Sequence, residues 1–172
     1  MMLSKNDPVR RWLEQATPEF RHLFVAGWES EAAAVVFDWV IRQPDCEKAT
    51  ALMAYLLSSP VFLAEHGSPE QDDASEQANY SLLTEIEKRY LTGFYQQQSV
   101  GFDPSAAFPA KIDLTEGYKD IVPVQPIPEE MFVPVAGKEL IEPEGWENGM
   151  PADVYRAWTE YIESEGWKRL PD

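Results

Sequence analysis

The sequence predicts a mainly α-helical bundle of about six helices, with a proline-rich segment laid on it as extended chain or short strands. Three observations carry this expectation. Cap residues followed by proline open several segments of the first hundred residues, and apolar side chains recur there at three- and four-residue intervals. Eight of the fourteen prolines then crowd into residues 101–151. Proline lacks an N–H and fixes φ, so neither a long helix nor a central strand persists in that stretch. At 172 residues one domain is the default, divided here into a helical core over 1–100, a proline-rich acidic segment over 101–150 and a closing helix over 151–167.

Pro8 suits the first turn of a short helix reaching Ala16. Thr17-Pro18 is a cap followed by proline at the first helical position; Phe20, Leu23 and Phe24 share one face, and Gly27 stops the helix. Ser30 is placed to cap the next helix, in which Ala32, Val35, Val36, Trp39 and Val40 repeat helically until Pro44. Asp45 then caps a helix whose stripe is Ala49, Leu52, Met53 and Leu56. Ser59-Pro60 and Ser68-Pro69 repeat the cap-then-proline signal. A long helix is expected from Ser75 to Gln98, with Leu83, Ile86, Tyr90 and Phe94 inward and Glu85 supporting Arg89 at i,i+4. Beyond it, Ile121-Val122-Pro123-Val124 and Met131-Phe132-Val133-Pro134-Val135 read as edge strands or ribbons resting on the core. The closing helix, Ala152 to Glu165, turns Val154, Trp158, Tyr161 and Ile162 inward.

Charge divides the chain unevenly. The formal net charge is −16; residues 1–60 carry 8 acids and 6 bases, and residues 61–172 carry 22 acids and 8 bases. Such a field repels nucleic acid and anionic membrane and attracts basic partners, although acidity also serves plain solubility. No apolar run reaches the roughly 20 residues of a membrane span, the N-terminus lacks the pattern of an export signal, and one cysteine permits no internal disulfide. A cytoplasmic globular protein is the expectation.

Catalytic constellations are sparse. His22 reads as a partly exposed structural residue, and His66 as a cation complementing the end of a helix before Gly67. Cys46 reads as a small buried apolar side chain. Asp72-Asp73 and Glu129-Glu130 lack the spacing of a calcium loop and histidine partners, and no glycine-rich phosphate cradle occurs. No metal, cofactor or catalytic residue is therefore assigned. What stands out is Glu129 to Glu147, where Glu129, Glu130, Glu139, Glu142, Glu144 and Glu147 face a single Lys138 and are interspersed with Phe132 and Trp146. Aromatic anchors ringed by acids suit capture of a basic protein. The alternative is that Phe132 and Trp146 pack inward and the glutamates are only a solvated face.

The stretch from Phe37 to Tyr55, FDWVIRQPDCEKATALMAY, resembles a family of small bacterial domains of unknown function. Its signature is Ile-x-x-Pro-x-Cys-(Asp/Glu)-x-(Gly/Ala)-Thr-Ala-Leu followed by an aromatic, and Leu23 to Glu29 is similar to its lead-in helix. The likeness covers about 35 residues, and departs where Glu29-Ser30-Glu31 follow Trp28 instead of Asn or Asp. The motif is explicable as architecture: Pro44 stops one helix, Asp45 starts another, Cys46 and Ala49 allow close approach, and Thr50 bonds back to a carbonyl. Members occur among immunity proteins encoded beside secreted bacterial toxins. The resemblance thus implies a cytosolic inhibitor of a toxin enzyme. Taken with the acidic charge and the missing catalytic groups, the expectation is a non-enzymatic immunity protein that occludes a basic toxin, a nuclease delivered by a secretion system, with the acidic C-terminal half, which has no counterpart in that family, choosing the partner. An effector chaperone or adaptor, and a hydrolase using carboxylates alone, are the competing readings.

Overall fold

The computed structural model describes residues 4–28, 33–69, 73–107 and 112–164. Among these residues it holds seven α-helices and one two-stranded hairpin. Helix α1 (Pro8–Leu13) is opened by Asp7, whose carboxylate accepts the Val9 N–H at 2.8 Å. It stops short of Ala16 because the Gln15 and Ala16 N–H groups both turn back to the Trp12 carbonyl. In α2 (Pro18–Gly27) the Thr17 hydroxyl accepts the Phe20 N–H at 3.3 Å, as the sequence predicts. Helix α3 (Ala33–Ile41) follows; the expected cap Ser30 lies outside the described residues.

Helix α4 (Lys48–Leu57) is the centre of the molecule. The sequence suggests a one-sided stripe, yet every residue from Ala49 to Leu56 is buried, because α2, α3 and α6 surround it. Ala49, Ala51 and Ala54 leave room for those neighbours. The helix begins at Glu47 and not at Asp45, which instead pairs with the buried Arg21 at 2.7 Å. Nor does Thr50 bond back to a carbonyl; its hydroxyl meets His22 Nδ1 at 3.1 Å.

Helix α5 (Pro60–His66) has proline in its first turn, but Ser59 sits at φ 57° and makes no cap bond. The residues that would follow Ser68-Pro69, 70–72, lie outside the described residues. Helix α6 (Ala74–Leu91) is capped by Asp73, whose Oδ1 accepts the Ser75 and Glu76 N–H groups at 3.0 and 2.9 Å. It ends at Leu91, seven residues before the expected Gln98, because Thr92 bonds back to Lys88 and Gly93 turns the chain at φ 72°. Phe94 consequently lies beyond the helix, partly exposed beneath the Arg89 guanidinium, while Leu83, Ile86 and Tyr90 are buried as predicted. The Glu85–Arg89 pair forms at 2.6 Å, and Tyr55 donates to Glu87 at 2.5 Å across α4 and α6.

After α6 the chain is irregular. Neither predicted ribbon is a strand: Glu129–Phe132 is a 3-10 turn with Met131 fully buried, and Val122 is 90% exposed. The prolines leave few donors there, and most of those in 122–128 are used: Val124 and Gln125 donate to the Ala64 carbonyl and Ile127 to the Tyr118 hydroxyl. Among the described residues the two strands are β1 (Trp146–Glu147) and β2 (Met150–Pro151), which form an antiparallel hairpin turned by Asn148-Gly149 at φ 48° and 74°. Its tip lies flush on α2, where a Cβ on Gly149 would sit 2.5 Å from the Leu23 carbonyl oxygen. Helix α7 (Ala152–Ser164) packs on α1 with Val154, Trp158, Tyr161 and Ile162 half-buried; residue 165 lies outside the described residues. An aromatic seam joins these parts, running Phe20–Trp146–Trp12–Phe24–Trp28–Trp158–Tyr155 with centroid spacings of 4.9–6.0 Å.

The two halves are stitched by Glu47. Its buried carboxylate accepts the Ser99 N–H at 2.9 Å, the Ser99 hydroxyl at 2.5 Å and the Val100 N–H at 3.3 Å, while Lys48 N–H donates to the Gln97 carbonyl at 2.8 Å. Glu47→Ala strands these donors and should cost about 3 kcal/mol, with Glu47→Gln costing about half as much. Urea denaturation checks this, and a loss below roughly 0.5 kcal/mol for the alanine variant would contradict the assignment.

Candidate partner-binding site

Two passes of the irregular segment run side by side over α2 and α4 as a strap. Gly101 N–H donates to the Lys138 carbonyl at 2.9 Å and Lys138 N–H to Ser99 at 3.0 Å; Phe102 and Val135 exchange both backbone bonds at 2.9 Å. The passes touch at Gly101 and Gly137, where a Cβ on Gly101 would lie 2.7 Å from the Gly137 oxygen. Proline cannot donate to such a ladder, and the four donating positions, Gly101, Phe102, Val135 and Lys138, are free of it.

Beneath the strap lies a cleft of about 370 Å³. Its walls include Leu23 from α2, Met53 from α4 and Phe102 and Leu140 from the strap, with Asp103 and Glu139 as carboxylates. His22 also lines it, and is 5% exposed rather than partly exposed as the sequence suggests. Desolvation pushes its pKa down to about 4, so the ring is neutral near pH 7. Asp103 Oδ1 accepts from Ser105 N–H at 2.9 Å and from its hydroxyl at 2.7 Å, which fixes that carboxylate in place.

The predicted site residues are only partly brought together. Glu129 and Glu130 sit on the 3-10 turn, Glu139 at the cleft, Glu142 and Glu144 on the chain entering the hairpin, and Glu147 on β1; all six are exposed. The two aromatics face the fold. Phe132 packs against Tyr118 at 5.0 Å, and Trp146 is wedged between Phe20 and Trp12 in the seam. The anchor role expected of Trp146 and Phe132 is therefore occupied by intramolecular packing, and the exposed element of the surface is its carboxylates.

Charge is sorted between the two halves. Arg10 pairs with Glu14, Arg21 with Asp45, Arg42 with Asp38 and Glu85, and Arg89 with Glu85. Lys138, the one base within 129–147, lies 3.8 Å from Glu19. Glu19 is held below the usual carboxylate range by its own backbone N–H, by the Thr17 hydroxyl and by Lys138. Among the described residues, none of the six glutamates of 129–147 has an ion-pair partner.

The chemistry elsewhere is structural. Cys46 is buried, and desolvation raises its thiol to about 12, far from a nucleophile's range. Burial also raises the carboxyls of Asp7 and Glu87, but one caps α1 and the other holds Tyr55; neither lines the cleft. His66 ends α5 as expected and stacks on Phe62 at 4.3 Å. Among the described residues no three His, Cys, Asp or Glu side chains converge as metal ligands, and no helix is long and apolar enough to cross a membrane.

A family model described as Domain of unknown function (DUF4274) matches residues 16–91, from the start of α2 to the end of α6. The strap, the hairpin and the acidic segment lie beyond that match. No curated protein and no solved structure matches the chain.

His22 makes stability depend on pH. Its folded pKa, about 4, lies below the unfolded value of 6.5, so the unfolded chain binds the proton first. The contribution is fully present above pH 6.5 and is lost as pH falls toward 4, reaching about 3 kcal/mol. Urea midpoints at pH 7 and pH 5 should differ more for the native chain than for His22→Gln, and equal differences would refute the linkage.

Proposed function

We propose that this chain is a cytosolic immunity protein that binds and occludes a basic bacterial toxin, a nuclease delivered by a secretion system. The observation supporting this reading is the sorting of charge: Arg10, Arg21, Arg42 and Arg89 of the helical half are tied into ion pairs, whereas the six exposed glutamates of 129–147 have no ion-pair partner among the described residues. A nuclease cleft is cationic because it holds phosphates, so an anionic surface competes for it by charge and shape. Likeness of the Phe37–Tyr55 stretch to immunity-associated domains points the same way.

Inhibition of this kind uses no chemistry of the inhibitor's own. An interface of roughly 1,200–2,000 Å² suffices for a stable complex, and complementary fields raise association toward about 10⁸ M⁻¹s⁻¹ at low salt. The prolines of the acidic segment restrict its backbone before binding, which lowers the entropy lost on docking. Because Trp146 and Phe132 are held in the fold, the carboxylates contribute steering and register, and apolar burial comes from elsewhere on this face.

The decisive experiment is co-expression with the product of the neighbouring gene: growth should be rescued and a complex recovered. Binding without loss of toxin activity would instead identify a carrier, and turnover of a small molecule abolished by one carboxylate substitution would identify an enzyme. Within the complex, Glu142→Lys with Glu144→Lys should slow association about tenfold at low salt and leave the unfolding midpoint near its native value. An unchanged association rate would place the interface away from these residues.

A further inference from the structure

The cleft beneath the strap combines three features not called for by packing alone. It is open and about 370 Å³, within the roughly 300–1,000 Å³ of small-molecule and side-chain pockets. Its wall is largely apolar, while Asp103 and Glu139 contribute two carboxylates of the same sign. His22 lines it with Nδ1 engaged by Thr50 Oγ1 at 3.1 Å, while Nε2 has no hydrogen-bond partner among the described residues and is not sealed from solvent. That nitrogen is therefore free to accept from a donor that enters the cleft, where it adds a third acceptor to the two carboxylates.

We propose that this cleft receives one arginine side chain of the partner protein, with its methylenes against Leu23, Met53 and Phe102 and its guanidinium toward Asp103, Glu139 and His22. The assignment deepens the reading of a basic partner and rests on it. Arginine fits each feature. Its stem covers apolar surface while the head seeks charge. The guanidinium is planar and weakly hydrated, so it enters a half-enclosed site at lower cost than an ammonium, and its five donors serve several acceptors at once. Asp103 is already fixed by Ser105 and Glu139 is on the strap, so the negative wall is in place before binding. Binding selects the His22 tautomer in which Nδ1–H donates to Thr50, leaving Nε2 to accept a guanidinium N–H. An anionic or purely apolar side chain would leave these acceptors facing like charge or nothing.

The test needs no toxin. N-acetyl-arginine methylamide is titrated into the full chain and compared with N-acetyl-citrulline methylamide, a neutral isostere, following the Met53 methyl and the His22 ring nitrogens by NMR. Saturable shifts at both residues, at least fivefold tighter for arginine than for citrulline and weakened by Glu139→Gln, are expected. Equal binding of the two compounds, or no shift at Met53 and His22 with the arginine compound in the millimolar range, would overturn the assignment. Because Glu139 is exposed, its variant should fold, and unchanged methyl shifts remote from the cleft verify this. Arginine binding with failed rescue of growth removes the immunity reading alone; rescue with no arginine binding removes the cleft assignment alone.

Discussion

Glu47 stands at the N-terminal edge of the most buried helix in the molecule and turns its carboxylate away from that helix. It gathers two backbone N–H groups and a hydroxyl from Ser99 and Val100, so the first residues of the irregular half are fastened to the centre of the helical half. Everything downstream inherits its position from this point. Gly101 and Phe102 follow directly and carry the second pass of the strap through Val135 and Lys138. A buried carboxylate is costly unless its acceptor sites are filled by donors, and here the donors belong to the segment that must be located. Docking the strap and satisfying the charge are one event.

Apart from the bonds to the Ala64 carbonyl and the Lys138–Glu19 pair, the remaining attachment is apolar and steric. The aromatic seam ties α1, α2, the hairpin and α7 through rings at tilted and edge-on angles. Gly149 lets the hairpin tip meet the backbone of α2 without a side chain between them. The six glutamates thus ride on a chain held at the Glu47 stitch, at the strap and at the hairpin. Such a surface keeps its shape although its backbone has little regular hydrogen bonding, and a steering field is useful only if its charges stay where they are.

Much of the helical half was legible because its signals are local. Thr17-Pro18 gave a cap and a first turn, Glu85 and Arg89 an i,i+4 pair, and Leu83, Ile86 and Tyr90 a buried face. Errors arose where a residue had a distant partner to satisfy: Asp45 left its cap for Arg21, and Thr50 turned to His22. Helix α4 is enclosed on all sides, and periodicity alone cannot distinguish that from a single stripe. The hairpin was readable and was missed, since Asn148-Gly149 is a strong two-residue turn signal. The cleft was not readable, because His22, Met53, Asp103 and Glu139 meet only through the strap.

Residues 122–128 present Val122 and Val124 to solvent, a composition that on a free edge would invite another chain to pair with it. Yet Pro123, Pro126 and Pro128 have no N–H to offer, and those of Val124, Gln125 and Ile127 are already engaged. Among the described residues that leaves Val122 as the single position in this stretch with an N–H not yet donated. A cross-β template needs a repeating row of open groups, and this ribbon has none. The apolar exterior of this ribbon is thereby barred from strand pairing with another chain, while Val122 and Val124 stay open to side-chain contact with a foreign surface.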